Sequence, residues 1–246
     1  MPGQFQDSAV AFLDVLGFKR LITEAEASPA GFQRLLALKT VLDAHVRFDN
    51  LAVSPNVPPQ MHPKYIFVSD SIIISAPLHY EKYDGLDIVV VKCIQVAQKI
   101  FELGHLVRGG VSVGSVWHDH LNIFGSGYID AYLTEQQAVH PRIMLSAAAS
   151  QAWQQPSRAV PELCRPDGKN DVVDTLHVAY LRTNAAGIPM EDYFMNLRAS
   201  IAANLQDLPL GSEPRSKWEW MAGFFNSALT RHGLSNQPFA SLPIPD

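Results

Sequence analysis

KYIFVSDSIIISAP, residues 64–77, decides how this chain folds. Phe67, Val68, Ile72, Ile73 and Ile74 are β-branched or aromatic, and a short apolar run of this kind reads as buried strand. Asp70 interrupts it. A buried carboxylate is costly unless it is paired, hydrogen-bonded or bound to a metal. The stretch therefore reads as two strands meeting near Asp70, a hairpin or one bent ribbon, with a carboxylate that needs a reason to be there.

A second stretch has the same character. AVAFLDVLGF, residues 9–18, reads as a buried strand that ends in a glycine-containing turn, again with an aspartate, Asp14, beside the turn. Between the two stretches, residues 19–27 and 30–47 read as helices, the second with Phe32, Leu35, Leu36, Leu38, Val41, Leu42 and Val46 near helical spacing. Residues 50–63, with four prolines, read as loop. Residues 86–103 read as an amphipathic helix with Gly104 as its C-cap. HLVRGGVSVGSVW (105–117) is a glycine-broken strand, followed by the short apolar piece LNIFG.

Further on, 126–138 reads as helix, RIMLS (142–146) as strand, with a helix to about 153 and a loop over 154–170. Strands are expected at 174–182 (DTLHVAYLR) and 191–196 (EDYFMN), helices at 197–206 and 213–232. The order β-α-α-β-β-α-β with α and β additions places the chain among α/β or α+β proteins. No repeat or linker is visible, so one domain is expected over 1–246, with a core over about 8–196 and a helical extension from 197.

Composition narrows the function classes. The chain has 246 residues, 47% hydrophobic and 17% charged, as suits a soluble domain with a sizeable core. A net charge of −5 argues against a nucleic-acid or anionic-membrane binder. Cys93 and Cys164 cannot build a disulfide framework, and a reducing compartment fits. MPGQFQDSAV lacks the basic and apolar regions of a signal peptide, and the 86–104 helix carries too many polar residues to span a membrane. A cytoplasmic location is expected.

Two aspartates in matching settings say more than either alone. If their strands are neighbours, two carboxylates converge and favour a cation between them. Oxygen ligands of this kind suit Mg²⁺ or Mn²⁺, whose usual companion is a phosphate substrate. A two-metal site can activate an attacking hydroxyl and steady the leaving group. Gly17 permits a tight turn, the helix after it offers free N–H groups to phosphate, and Lys19 adds charge. Other signals are weaker. WHDH (117–120) reads as an exposed turn, and Trp218, Trp220, Phe224 and Phe225 at helical spacing read as core or dimer contact. No zinc pattern, P-loop or GxSxG is present.

Four segments in order resemble the catalytic domain of class III adenylyl and guanylyl cyclases. AFLDVLGF resembles the FxDIxGF opening, and VSDSIII the second metal-aspartate strand. VRGGVSVG resembles R-x-G-(I/V)-x-x-G, and FGSGYIDAYLTEQQA the entry of G-x-x-V-N-x-A-A-R. The resemblance covers residues 9–150. It implies an α+β fold with a ferredoxin-like βααββαβ core and C-terminal strand and helix additions. It also implies a homodimer whose active sites are shared between two chains. Asp14 and Asp70 would hold two Mn²⁺ or Mg²⁺ ions, and the backbone of Val15, Leu16, Gly17 and Phe18 would cradle the triphosphate. The ribose 3′-hydroxyl would attack the α-phosphate and release pyrophosphate.

Some positions depart from that pattern. The family's transition-state Asn and Arg fall at Ile129 and Leu133, or at Asp130 and Thr134 after a one-residue shift, and Arg108 is the substitute cation expected. The base-reading positions are Ile66, with Tyr65 adjacent, and Asn122, which do not reproduce the purine pattern. An amide can donate and accept to a pyrimidine edge, and a phenol adds a stacking face. With both aspartates kept and the base and helix positions altered, LDVLGF, SDSIIIS, RGGVSVG and the AY-containing helix resemble the pyrimidine cyclases of bacterial Pycsar anti-phage systems, which implies cyclic UMP or CMP as a messenger for a separate effector, with UTP favoured as substrate. A non-catalytic cyclase-like binding domain and a purine cyclase are the rival expectations.

Overall fold

The structure is a computed structural model that describes residues 4–46, 57–155, 158, 160–178, 189–239 and 242. Strand β1 (Gln6–Leu16) leads into α1 (Phe18–Ala27) and α2 (Pro29–Val46). The hairpin β2 (Lys64–Val68) and β3 (Ser71–Pro77) follows, then the two-residue strands β4 (His79–Tyr80) and β5 (Tyr83–Asp84). Helix α3 (Gly85–Glu102) leads to β6 (Leu106–His118), β7 (Ile123–Phe124) and α4 (Ser126–Gln136). Next come β8 (Ile143–Leu145), α5 (Ala147–Trp153), β9 (Cys164–Asp167), β10 (Asn170–Val173), α6 (Met190–Asp207) and α7 (Glu213–Arg231).

The main sheet runs β2-β3-β1-β6-β8-β10-β9, with β7 paired to β6. Among the described residues only β6 and β8 pair in parallel. The segment β2-β3-β1-β6 is the ferredoxin-like arrangement: β1 sits centrally, antiparallel to β3 and β6, and the connections through α1–α2 and through α3 cross one face. The expected α+β fold with a ferredoxin-like core is therefore the one observed. Among the described residues no helix is long and apolar enough to cross a membrane.

Period-two alternation sorts β1 onto two faces. Ala9, Ala11, Leu13 and Val15 pack into the main core with Ile72, Ile74, Leu86, Val90, Cys93 and Ile100. Val10 and Phe12 face the other way, with Ile73, Val116 and Ala131. Each fully buried aliphatic side chain stabilises the fold by roughly 1.5–3 kcal/mol. On this second face α4 lies close against β6. A side chain at Gly110 would run into the Ala131 carbonyl and Thr134, so glycine there sets the approach.

Three expectations fail in the C-terminal part. Residues 191–196 belong to helix α6, not a strand, because Tyr193, Phe194, Leu197 and Ile201 are buried at helical spacing. Residues 174–177 form a turn, with His177 N–H donating to the Asp174 carbonyl at 3.0 Å. The remainder of the strand expected over 174–182 lies, past Val178, outside the described residues. The loop expected over 154–170 instead contains β9 and the start of β10, a hairpin turning at Gly168, and its Pro166 sits where an edge strand tolerates proline.

Candidate metal and phosphate site

Asp14 lies near the end of β1, in register between Ser71 of β3 and Arg108 of β6. It is on the face of Phe12, away from the main core. Asp70 occupies the tight turn between β2 and β3. That turn puts Ser69 at φ 60°, a left-handed conformation uncommon outside glycine, and the Val15 N–H donates to the Asp70 carbonyl at 3.0 Å. The bond pins the Asp70 turn to the strand that carries Asp14.

The two carboxyl groups come within hydrogen-bonding reach of each other, and Asp14 is pushed up from 3.8 to about 6. Burial is the larger cause and the charge of Asp70 the next, with Arg108 opposing both. Arg108 Nε lies 3.3 Å from Asp14 Oδ2 and 2.5 Å from Glu135 Oε1. Glu135, on α4, is 1% exposed. Arg108 Nε thus lies between two carboxylates, within ion-pair reach of both and without a hydrogen bond to either. The sequence reading missed Glu135. Its one local signal was the spacing Ala131–Glu135, which puts it on the buried side of α4.

The turn after Asp14 offers donors. Gly17 has φ 82°, and α1 starts without a side-chain cap, as do α4 and α6, whereas Asp84 caps α3, Ser146 caps α5 and Ser212 caps α7. The first bond of α1 runs from Leu21 N–H to the Gly17 carbonyl, which leaves the N–H groups of Phe18, Lys19 and Arg20 without intrahelical partners. Of the four backbone positions expected to cradle phosphate, Val15 has its N–H committed to Asp70 and Leu16 pairs with Leu106. Gly17 and Phe18 sit at the open helix start.

The residues expected near the base are not gathered with the carboxylates. Tyr65 pairs across the hairpin with Ile74, and its ring packs 5.7 Å from Phe67 against the main core, on the face opposite Asp14. Ile66 is the neighbour on Asp14's face. Asn122 is exposed in the turn between β6 and β7, its N–H bonded to Asp119 Oδ1 at 2.7 Å. Arg108 and that turn lie at opposite ends of β6. Ile129 and Leu133 are exposed apolar residues of α4, at 53% and 50%. His118, expected in an exposed turn, is buried at the end of β6, with Nδ1 2.6 Å from Ser75 Oγ. Burial, then the charge of Lys64, lowers it to about 4.

The donor set fits a hard divalent cation. Two carboxylates crowd together with one shared guanidinium, and adding a cation relieves the repulsion that raises Asp14. Among the described residues no group of three or more His, Cys, Asp or Glu side chains could hold a metal. A cation here would take the two carboxylates and complete its shell from water or phosphate oxygens, the habit of Mg²⁺.

The fold and site together define a ferredoxin-like α+β domain with paired carboxylates beside an open helix start. No family model matches the chain, and no curated protein matches it. Solved structures resemble it at low identity, three of them as follows. One is the catalytic core of a rhodopsin-guanylyl cyclase with converted specificity in complex with ATPαS, at 12% identity and TM-score 0.37, covering 69% of this chain and 93% of that one. Another is the guanylyl cyclase Cya2, at 12% identity and TM-score 0.40, covering 70% and 92%. A third is a class III adenylyl cyclase-like ATP-binding protein from Pseudomonas aeruginosa, at 11% identity and TM-score 0.44, covering 85% of this chain and 45% of that one.

Proposed function

We propose that the chain is a divalent-metal-dependent nucleotidyl cyclase, and more narrowly a pyrimidine cyclase using UTP in preference to CTP. The observation that carries the reading is the convergence of Asp14 and Asp70 beside the uncapped start of α1. Asp14 and Asp70 would hold Mg²⁺ or Mn²⁺, two ions per site. When bound, the metal supplies charge neutralisation on the triphosphate and acidifies the attacking hydroxyl. Arg108 lies within ion-pair reach of Asp14, and the N–H groups after Gly17 receive phosphate oxygens. In the reaction the ribose 3′-oxygen bonds to the α-phosphorus and the bond from that phosphorus to the bridging oxygen breaks. Pyrophosphate leaves, and the 3′-hydroxyl proton passes to solvent. The protein's contribution is positioning and electrostatics.

The pyrimidine reading rests on Ile66, which brings no polar atom to Asp14's face, and on Asn122. One chain cannot bring Asn122 to its own carboxylates, so a homodimer with shared sites is part of the proposal. Exposed Leu121, Phe124, Ile129 and Leu133 favour a second copy against this face. A role as messenger synthase in anti-phage defence rests on the sequence resemblance alone, and a cytoplasmic location on the N-terminal sequence.

The test is to incubate purified protein and its Asp70→Asn variant with ATP, GTP, CTP and UTP plus Mn²⁺, and to identify products by mass spectrometry. A cyclic pyrimidine nucleotide, lost in the variant, is expected. A cyclic purine product would keep the cyclase and discard the pyrimidine assignment. A second reading, a non-catalytic nucleotide-binding domain, is favoured by one observation: Arg108 is already committed to Asp14 and Glu135, and α4 offers Ile129 and Leu133 where a cation would help. Metal-dependent nucleotide binding without turnover would select it.

A further inference from the structure

A cleft of about 390 Å³ lies between the ferredoxin-like core and the C-terminal helices. Its lining includes Leu16 and Gly17 from the turn after β1, but neither Asp14 nor Asp70, so it is separate from the carboxylate site. The volume falls in the range of small-molecule sites. The far wall is firmly built. Arg215, 7% exposed, donates to the carbonyls of Leu205 and Leu208 and pairs with Glu219 at 2.8 Å, which locks the corner between α6 and α7. Pro214, Lys217 and Trp218 on one side of that corner, and Asn204 and Leu208 on the other, face Arg20 and Leu21 of α1 and Arg34 of α2.

The chemistry of the lining is uneven. Leu21, Leu103, Leu106 and Trp218 give it an apolar floor, with Trp218 only 8% exposed. Its charged groups are three cations, Arg20, Arg34 and Lys217, against one carboxylate, Glu24. Both guanidinium groups share that carboxylate at 2.8 Å, so one negative charge answers two positive ones. Lys217 pairs with Glu213, which is 80% exposed and outside the lining, so solvent weakens that pair. Arg20 and Arg34 are themselves 74% and 56% exposed, so water screens them in the empty cleft; an anion with a hydrophobic body would displace that water and meet the excess positive charge above the apolar floor. Guanidinium forks take carboxylate and phosphate head groups bidentately.

We propose that this cleft is a second ligand site, for a small organic anion that carries one carboxylate or phosphate on an apolar, preferably aromatic, body. The head group lies among Arg20, Arg34 and Lys217, and the body lies against Trp218 and Leu103. Because Leu16 and Gly17 form part of the wall, an occupant touches the turn that follows Asp14. The cleft shares Gly17 and Arg20 with the helix start proposed to receive phosphate, but Arg34, Lys217 and Trp218 lie outside that turn, so the inference needs no metal and is tested through those residues apart from the cyclase reading.

Isothermal titration calorimetry on the metal-free full chain tests it, with 1-naphthyl phosphate, 1-naphthoate, neutral 1-naphthol and inorganic phosphate as probes. At least one naphthyl anion is expected to bind at a single site, and the tighter of the two identifies the head group. Arg34→Gln with Lys217→Gln, both changes at the rim, should weaken it about tenfold or more. Asn204→Trp, which fills the cleft and leaves its cations in place, should abolish it. Circular dichroism establishes that each variant is folded. Naphthol, or inorganic phosphate, binding as tightly as the naphthyl anions would overturn the proposal. So would the absence of anion binding at millimolar concentration, or anion binding that the folded variants leave unchanged.

Discussion

Asp14 and Asp174 are both largely buried, and they are opposites. Asp174, 3% exposed, accepts from Arg231 Nη2 at 3.0 Å and has His232 Nε2 3.5 Å from its other oxygen. Burial pushes it up, but the contact with His232 and the charge of Arg231 outweigh burial and hold it below the ordinary carboxylate range. Asp14 has one shared guanidinium on one side and a second carboxylate on the other, and it is pushed up to about 6. In the C-terminal part the chain compensates a buried acid completely. At the end of β1 it leaves a carboxylate pair short of positive charge, as a cation-binding device requires and a purely structural one does not.

Breaking the two sites should therefore have opposite consequences. If the proposed metal centre is right, Asp14→Asn reduces turnover by at least about 100-fold, since it removes a carboxylate that would hold the cation on the triphosphate. In the metal-free protein at pH 7 the same change should raise stability by about 1–2 kcal/mol, because it removes a repelled acid and loses only part of the Arg108 pairing. Asp174→Asn should do the reverse, costing roughly 1–3 kcal/mol and leaving turnover intact. Thermal melts in EDTA, set beside turnover with Mn²⁺, separate the cases. A destabilised Asp14→Asn would mean that the carboxylate pair is structural.

The comparison has a pH form. Folded His118 takes a proton near pH 4 and an unfolded histidine near 6.5. Between these values the unfolded chain binds more protons, so stability falls as pH drops, by roughly 3 kcal/mol in all. Folded Asp14 takes its proton near pH 6 and unfolded aspartate near 3.8. Through the same window its contribution rises as pH drops, by a similar roughly 3 kcal/mol. The two slopes nearly cancel. His105, His140 and His177 are lowered by burial and add to the His118 side. Metal-free wild type should thus lose only modest stability from pH 6.5 to 4, and Asp14→Asn should expose the full histidine slope. Denaturant titrations across that range check it. Mn²⁺ binding should weaken as pH falls below about 6, where protons compete for Asp14.

The sequence made some of this readable for local reasons. The β2–β3 hairpin, β1 and β6 announce themselves as short apolar runs bounded by turn residues, and α3 by its helical period, all within one element. The pair Asp14 and Asp70 was legible because each breaks such a pattern. What escaped was set by distant partners or by a shift of one residue. Tyr65 and Ile66 are adjacent, and only the strand register decides that Ile66, not Tyr65, shares Asp14's face. Glu135 meets Arg108 across the packing of α4 on β6, which no local pattern announces. Residues 191–196 resemble a strand when cut off at Asn196, and Leu197 and Ile201 are needed to reveal the helical period. The β9–β10 hairpin is polar at its turn and carries a proline, so its strand character comes from the pairing with β8.

Two glycines give the finest comparison of the two regions. Gly17, after Asp14, has φ 82°, and Gly168, in the β9–β10 turn, has φ 65°; an added Cβ would meet nothing within 4 Å at either. Alanine at either position therefore carries a backbone cost alone, about 1–2 kcal/mol for a left-handed residue. At this chain length that lowers Tm by roughly 2–8 °C. Gly17→Ala should differ from Gly168→Ala in one respect. If the start of α1 receives the triphosphate, a strained turn misplaces the N–H groups of Phe18, Lys19 and Arg20, and KM for the nucleotide rises several-fold. Metal affinity, set by Asp14 and Asp70, stays near wild type. Gly168→Ala should show the same loss of Tm and no change in KM. Equal KM values for both variants and wild type would remove the turn after Gly17 from the phosphate site and leave the carboxylate pair as the whole of it.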